Sequence, residues 1–255
     1  MANGNSWKKI FNDYKILEHD FSKKPFPLSA AQIKKSVQKF NKTGEKEVRI
    51  LCKIDSREDL PEVMRDNELF LMPVKNGRYV IVNGEGFMDI PEIAGEPEDY
   101  PTKLDFKLDT SVVGNSEMQH LDFAYASSLI RTFMDDPSLV LTIRGRKYTP
   151  AFSYKIGNAT LETSSVQTEV DAGYEGRDQV VLVEAKNSST KNTIIRQLYY
   201  PYRQWSEHTS KKVVPLFFEK RGDQYWIWQY EFTDKNDYNS VKLVRSKKFR
   251  IVEQK

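Results

Sequence analysis

The chain is poor in the residues from which several common sites are built. It has one cysteine, Cys52, in 255 residues, which excludes an internal disulfide. Ile50, Leu51 and Ile54 surround Cys52, a setting that reads as a small core residue and not a nucleophile. Three histidines, His19, His120 and His208, have no partner at metal-ligand spacing, so no zinc site is expected. No apolar run reaches the length of about 18 residues that a membrane helix needs, and the opening MANGNSWKK has no apolar leader core. The expectation is a soluble, cytoplasmic protein with no membrane partner. Internal repeats and low-complexity tracts are also missing.

A large net charge is lacking too, at +3, but its distribution is uneven. Residues 1–57 carry 13 Lys and Arg against 6 Asp and Glu; residues 137–255 carry 20 against 13; residues 58–136 carry 6 against 17. Two basic blocks flank an acidic middle. Basic faces attract a polyphosphate backbone by releasing its condensed counterions, although ordinary solvated surface has the same composition. At 39% apolar content the chain can bury one large core or two modest ones, which suits two domains.

What is present is concentrated in Val166 to Asn187, VQTEVDAGYEGRDQVVLVEAKN. Read as a hairpin turning about Arg177 and Asp178, this segment sets Asp171 opposite Glu184 and Glu169 opposite Lys186. Strict alternation sends all four to one face. Paired side chains have Cβ atoms about 5 Å apart, so the two carboxylates can share a divalent cation through hard oxygen ligands. A lysine beside that cation can orient or deprotonate water and steady the charge on a phosphate under attack. Val181 and Val183 point the other way, into a core. The apolar run Val180 to Val183 delivers Glu184 as a buried strand would, which separates this acid-x-lysine from those at Asp13 to Lys15 and Asp105 to Lys107. The bland alternative is a solvated sheet face of cross-strand ion pairs.

The run Glu169 to Glu175, then Val183-Glu184-Ala185-Lys186-Asn187, then Arg196-Gln197-Leu198-Tyr199-Tyr200-Pro201-Tyr202-Arg203, resembles a group of type II restriction endonucleases with the PD-(D/E)XK nuclease fold. The N-terminal half is similar to the same group through Trp7 to Phe11, Asp59 to Glu62 and Asn76 to Tyr79. The resemblance implies an α+β protein: a restriction-endonuclease-like mixed sheet flanked by helices (91–255), preceded by a winged-helix-like module (1–90). It implies Mg2+-dependent cleavage of double-stranded DNA at a short sequence. Asp171, Glu184 and Ala185 are then the metal positions, Lys186 is the catalytic lysine, and Glu169 stands beside them. The usual proline before the first aspartate is Val170 here.

Elsewhere the spacing of Trp7, Ile10, Phe11, Tyr14 and Leu17 predicts one helical face. Ser29 caps a second helix through Phe40 with Ile33 and Val37 inward and Lys34, Lys35 and Lys39 outward. Val48 to Ile54 reads as a strand, and a short helix starts at Ser56 or Asp59. Asn76-Gly77 between Phe70 to Val74 and Tyr79 to Val82 signals a tight hairpin. Lys34, Lys35, Lys75 and Arg78 are the candidate DNA contacts of this module. Gly84 to Pro101 is the expected boundary. Ser116 to Phe133 reads as one helix with Met118 among its inward residues, and Glu117 or Asp122 on it within reach of a metal. Lys191 to His208 reads as a helix kinked at Pro201, with Arg196, Gln197 and Arg203 placed to steady phosphate or water. Val213 to Phe218 and Tyr225 to Phe232 close the sheet.

The expected partners are duplex DNA, a second copy of the chain for the second strand, and the DNA methyltransferase of the same restriction system. The alternatives are a structure-selective or methylation-directed nuclease and a DNA-binding regulator whose nuclease-like domain is inert.

Overall fold

The computed structural model describes residues 3–187 and 189–253. The N-terminal part runs α1 (Gly4–Asp13), β1 (Phe26–Ser29), α2 (Ala30–Val37), α3 (Thr43–Lys46), α4 (Val48–Leu51), α5 (Glu62–Arg65), β2 (Leu69–Lys75) and β3 (Arg78–Asn83). Next come β4 (Phe87–Asp89), β5 (Glu98–Pro101), α6 (Glu117–Ala126), α7 (Leu129–Met134), β6 (Val140–Tyr148), β7 (Phe152–Ile156) and β8 (Ala159–Thr163). The chain closes with β9 (Gln167–Glu175), β10 (Gln179–Lys186), β11 (Asn192–Ile194), α8 (Arg196–Ser206), β12 (Lys212–Arg221), β13 (Gln224–Phe232) and β14 (Val241–Val252). This is an α+β fold around a seven-stranded mixed sheet in the order β5-β14-β13-β12-β10-β9-β6. Among the described residues, no helix is long and apolar enough to cross a membrane.

Strands β10 and β12 are parallel, and α8 lies on the crossover that a parallel pair requires. One face of the sheet packs Val181, Val183, Leu216 and Phe218 against Leu121, Ala124 and Leu129 of α6 and α7. The opposite face packs Val170, Val180 and Leu182 against Tyr202 and Trp205 of α8. The three-stranded sheet β1-β3-β2 stands on this α8 side, in one hydrophobic cluster that joins Trp7, Ile33 and Ile81 to Tyr199, Tyr200 and Trp228.

Local chemistry accounts for the hairpin and the second helix. Ser29 Oγ accepts from Gln32 N–H, and Gln32 Oε1 accepts from Ser29 N–H at 2.8 Å, a complete capping box. In the β2–β3 turn, Lys75 pairs with Arg78, and Gly77 has φ of 71°, open to glycine at little cost.

Several sequence expectations change. Val48 to Ile54 does not form a strand: α4 is a helical turn whose Leu51 carbonyl accepts Trp7 Nε1–H at 3.2 Å. Tertiary packing overrides the β propensity of the run. Lys15 takes a left-handed conformation and ends the first helix, so Ile16 is buried while Leu17 is 54% exposed. Ser128, also left-handed, divides the expected Ser116 to Phe133 helix into α6 and α7, and Met118 faces out. Ile194 belongs to β11, which pairs with β4, and α8 begins only at Arg196. Within the Gly84 to Pro101 stretch, Phe87, Met88 and Ile90 lie in the shared core.

Candidate active site

Strands β9 and β10 pair Val180 with Glu175 through Val183 with Ala172, the register expected from a turn at Arg177 and Asp178. Continued one step, it sets Asp171 beside Glu184. The alternation then fails. Against β6, Ile143 faces Gly173 and Gly145 faces Val170, so β9 spends one residue more than its neighbour across Asp171 and Ala172, which is a β-bulge. Val170 and Thr168 face α8, with Thr168 Oγ1 donating to Gln204 Oε1 at 2.7 Å. Ala172 and Tyr174 face α6. A Cβ on Gly173 would come within 2.6 Å of Ile143, so glycine lets β6 close against the bulged strand.

Asp171, at the bulge, turns its carboxylate toward β10, where Oδ2 accepts from Ala185 N–H at 2.8 Å. Glu184 is 9% exposed, and its Oε1 forms an ion pair and hydrogen bond with Lys186 Nζ. Burial pushes the Glu184 carboxyl up to about 7, opposed by Lys186 and reinforced by the Asp171 charge. Burial also raises Asp171, against the Ala185 N–H and the Lys186 charge. For Lys186, burial works against the charge, yet Glu184 and Asp171 together hold its pKa above the ordinary lysine value. The result is two desolvated carboxylates beside one ammonium, a buried arrangement short of positive charge.

Among the described residues, no three His, Cys, Asp or Glu side chains gather closely enough to hold a metal by themselves. The donors nevertheless fit Mg2+, which keeps several waters and needs only one or two carboxylates. Asp171 Oδ1 and Glu184 Oε2 accept no hydrogen bond among the described residues, and Ala185, next to Glu184 on β10, is tied to Asp171 through its N–H.

The expectation that Glu169 pairs with Lys186 on the same face is not met. The bulge breaks the alternation, and Glu169 instead meets Arg146 at 3.3 Å. It still lines the cleft that holds Asp171, Glu184 and Lys186. That cleft, about 1100 Å³, lies between the N-terminal part and the large sheet, and Lys75, Arg196 and Gln197 also line it. Lys34, Lys35 and Arg78 are exposed but contribute nothing to its lining. Arg203 is 3% exposed. Its guanidinium donates to the carbonyls of Ser153 and Lys235, each at 3.0 Å, and to Tyr199 Oη, and it lies over the Phe152 ring. Arg203 is therefore a structural tie and not a phosphate contact. Asp122 is engaged by Arg144, whereas Glu117 lines the cleft and acts on Lys186.

Sequence reasoning missed Arg49, Lys53, Asp55 and Arg146, all of which line the cleft. Asp55 comes from the N-terminal part, yet its charge raises Glu184. Cys52 also borders the cleft, but burial pushes its thiol up to about 12, against a hydrogen bond with Tyr79. It is inert as a nucleophile near neutral pH.

The chain belongs to the family described as Domain of unknown function (DUF6997), matched over residues 82–250. Residues 4–81 match a second description, Domain of unknown function (DUF6996). No curated protein and no solved structure matches the chain.

Proposed function

We propose that the chain is a Mg2+-dependent, site-specific endonuclease of double-stranded DNA, of the type II restriction kind. One observation carries the reading: Asp171, Glu184 and Lys186 meet where the pairing of β9 with β10 ends, and they line a cleft with basic residues from the N-terminal part. The mixed sheet with helices on both faces is compatible with a restriction-endonuclease-like fold. The order of α1, β1, α2, α3 with α4, β2 and β3, with strands arranged β1-β3-β2, supports a winged-helix-like module.

Asp171 and Glu184 would hold Mg2+ together with the Ala185 carbonyl, and the ion would supply Lewis-acid polarisation of the scissile phosphate. Lys186 has a raised pKa and remains an ammonium near neutral pH. It therefore suits stabilising the charge that develops on the phosphate and orienting water, more than abstracting a proton. Gln197 and Arg196, at the start of α8, border the same cleft and are available to phosphate oxygens. One site cuts one strand, so a second copy completes the break, most simply as a twofold dimer on a palindrome. A partner methyltransferase protects the host's own copies of the sequence.

Incubation of supercoiled plasmid with the protein and Mg2+ tests the proposal. Discrete fragments are expected. Diffuse nicking would transfer the site to a structure-selective or methylation-directed nuclease, and intact plasmid would leave a DNA-binding regulator.

A further inference from the structure

The basic residues expected to meet DNA were on α2 and the hairpin; Lys75 of the hairpin does line the cleft, but a further element, α4, faces the candidate active site as well. We propose that α4 is the base-reading element of the cleft, with Arg49 and Ile50 contacting base edges in the major groove. This inference rests on the reading of duplex DNA as substrate.

The turn is firmly held. Leu51 is fully buried, its carbonyl accepts the Trp7 indole N–H, and Ser6 Oγ donates to the Glu45 carbonyl of the preceding α3 at 2.7 Å. Anchoring on this side leaves Arg49 and Ile50 on the cleft side, where both share the lining with Asp171, Glu184 and Lys186. Arg49 makes no ion pair or side-chain hydrogen bond among the described residues, whereas neighbouring Lys53 lies 3.6 Å from Asp55. Arg49 therefore keeps its planar donor fork available.

Ile50 is 36% exposed in a cleft lined largely by charged and polar groups. An apolar side chain gains nothing from phosphate, so phosphate attraction does not explain its place. Side by side, an arginine fork and an aliphatic group match two features of the major groove: the guanine O6 and N7 acceptors and the thymine methyl. A rigid mount matters for such reading, because a flexible contact loses the geometry that discriminates between bases.

Selection of duplexes from a random pool in Ca2+ tests the inference without relying on cleavage. Wild type, Arg49→Ala, Arg49→Lys and Ile50→Ala are compared after their melting temperatures show intact folding. Wild type should enrich one short sequence. Both Arg49 variants should lose roughly 10-fold preference at one guanine, because lysine keeps the charge but not the fork. Ile50→Ala should lose preference for thymine at one position. Unchanged preferences in all variants would overturn the inference. So would Arg49→Ala that weakens every duplex equally while Arg49→Lys behaves as wild type, which is the signature of a phosphate contact. If wild type enriches a sequence but cuts no plasmid in Mg2+, the nuclease reading falls while α4 is still judged by its variants. If wild type neither binds nor cuts any duplex, both fall.

Discussion

Glu184 is where the chemistry of this protein is most concentrated. A carboxyl group raised to about 7 by burial, paired with a lysine whose own pKa is raised, lies close to a balance between neutral and ionised forms. Its folded value exceeds the ordinary 4.5, so protonation favours the fold. Stability from this group is fully present below about pH 4.5 and is lost as pH rises through about 7. On the proposed reading, a divalent cation would bind the ionised form, compete with the proton below that range and relieve the penalty above it. Ca2+ should therefore raise the melting temperature more at about pH 8 than at about pH 5.5. Glu184→Gln should reduce that difference, leaving the share that the raised Asp171 carboxyl contributes. Equal Ca2+ shifts at the two pH values in the wild type would show that Glu184 does not hold the cation.

At the scale of elements, α8 ties the N-terminal part to the large sheet. Tyr200 Oη donates to the Pro73 carbonyl of β2 at 2.8 Å, which leaves Tyr154 as the donor in the 2.6 Å contact between the two hydroxyls. Arg203 joins α8 to β7 and to the loop after β13. Arg203→Ala strips two buried carbonyls of a charged donor and should cost roughly 2–4 kcal/mol of stability. Its DNA affinity per folded molecule should be unchanged. Chemical denaturation with a binding titration checks both; wild-type stability with weakened binding would return Arg203 to the DNA contacts.

The same elements show what the sequence discloses. Ser29 with Gln32, and Asn76-Gly77 between apolar runs, announce a cap and a hairpin because their chemistry is local. The run Val180 to Val183 likewise marks β10 as a buried strand. Four features have no local signal. The α4 turn is fixed by Trp7, which lies 44 residues away. Arg203 looks like a surface cation until partners 50 and 32 residues distant enclose it. The bulge at Asp171 depends on β6, and it alone separates Glu169 from the trio. Strand β14, whose first half exposes Leu243 and Val244 beside Lys242 and Arg245, shows no clean apolar alternation.

For the whole molecule, the two parts share one hydrophobic cluster and line a common cleft. Their seam carries Asn192 Nδ2 to Glu58 at 2.9 Å, Arg57 N–H to Asn192 Oδ1 at 2.7 Å, and Ile194 N–H to the Asp55 carbonyl at 2.9 Å. These contacts hold the N-terminal part against the strands that carry Asp171 and Glu184, as the proposed site-specific enzyme would need between its reading and cutting positions. Lys75 lines the cleft and Lys34 and Lys35 do not. Lys75→Ala should therefore weaken duplex binding and lower the log–log salt slope by about one unit. Lys34→Ala with Lys35→Ala should leave that slope close to wild type. The reverse pattern in salt titrations would put DNA on the α2 face and outside the cleft.

The central claim is that Asp171, Glu184 and Lys186 form one Mg2+-dependent cutting site. It is tested most directly by the rate of plasmid cleavage in Mg2+ for wild type beside Asp171→Ala, Glu184→Ala and Lys186→Ala, each verified as folded by its melting transition. The account predicts cleavage by wild type that needs the cation, and a loss of about 100-fold or more in every variant. Cleavage by any one of the three at a rate near wild type would contradict it.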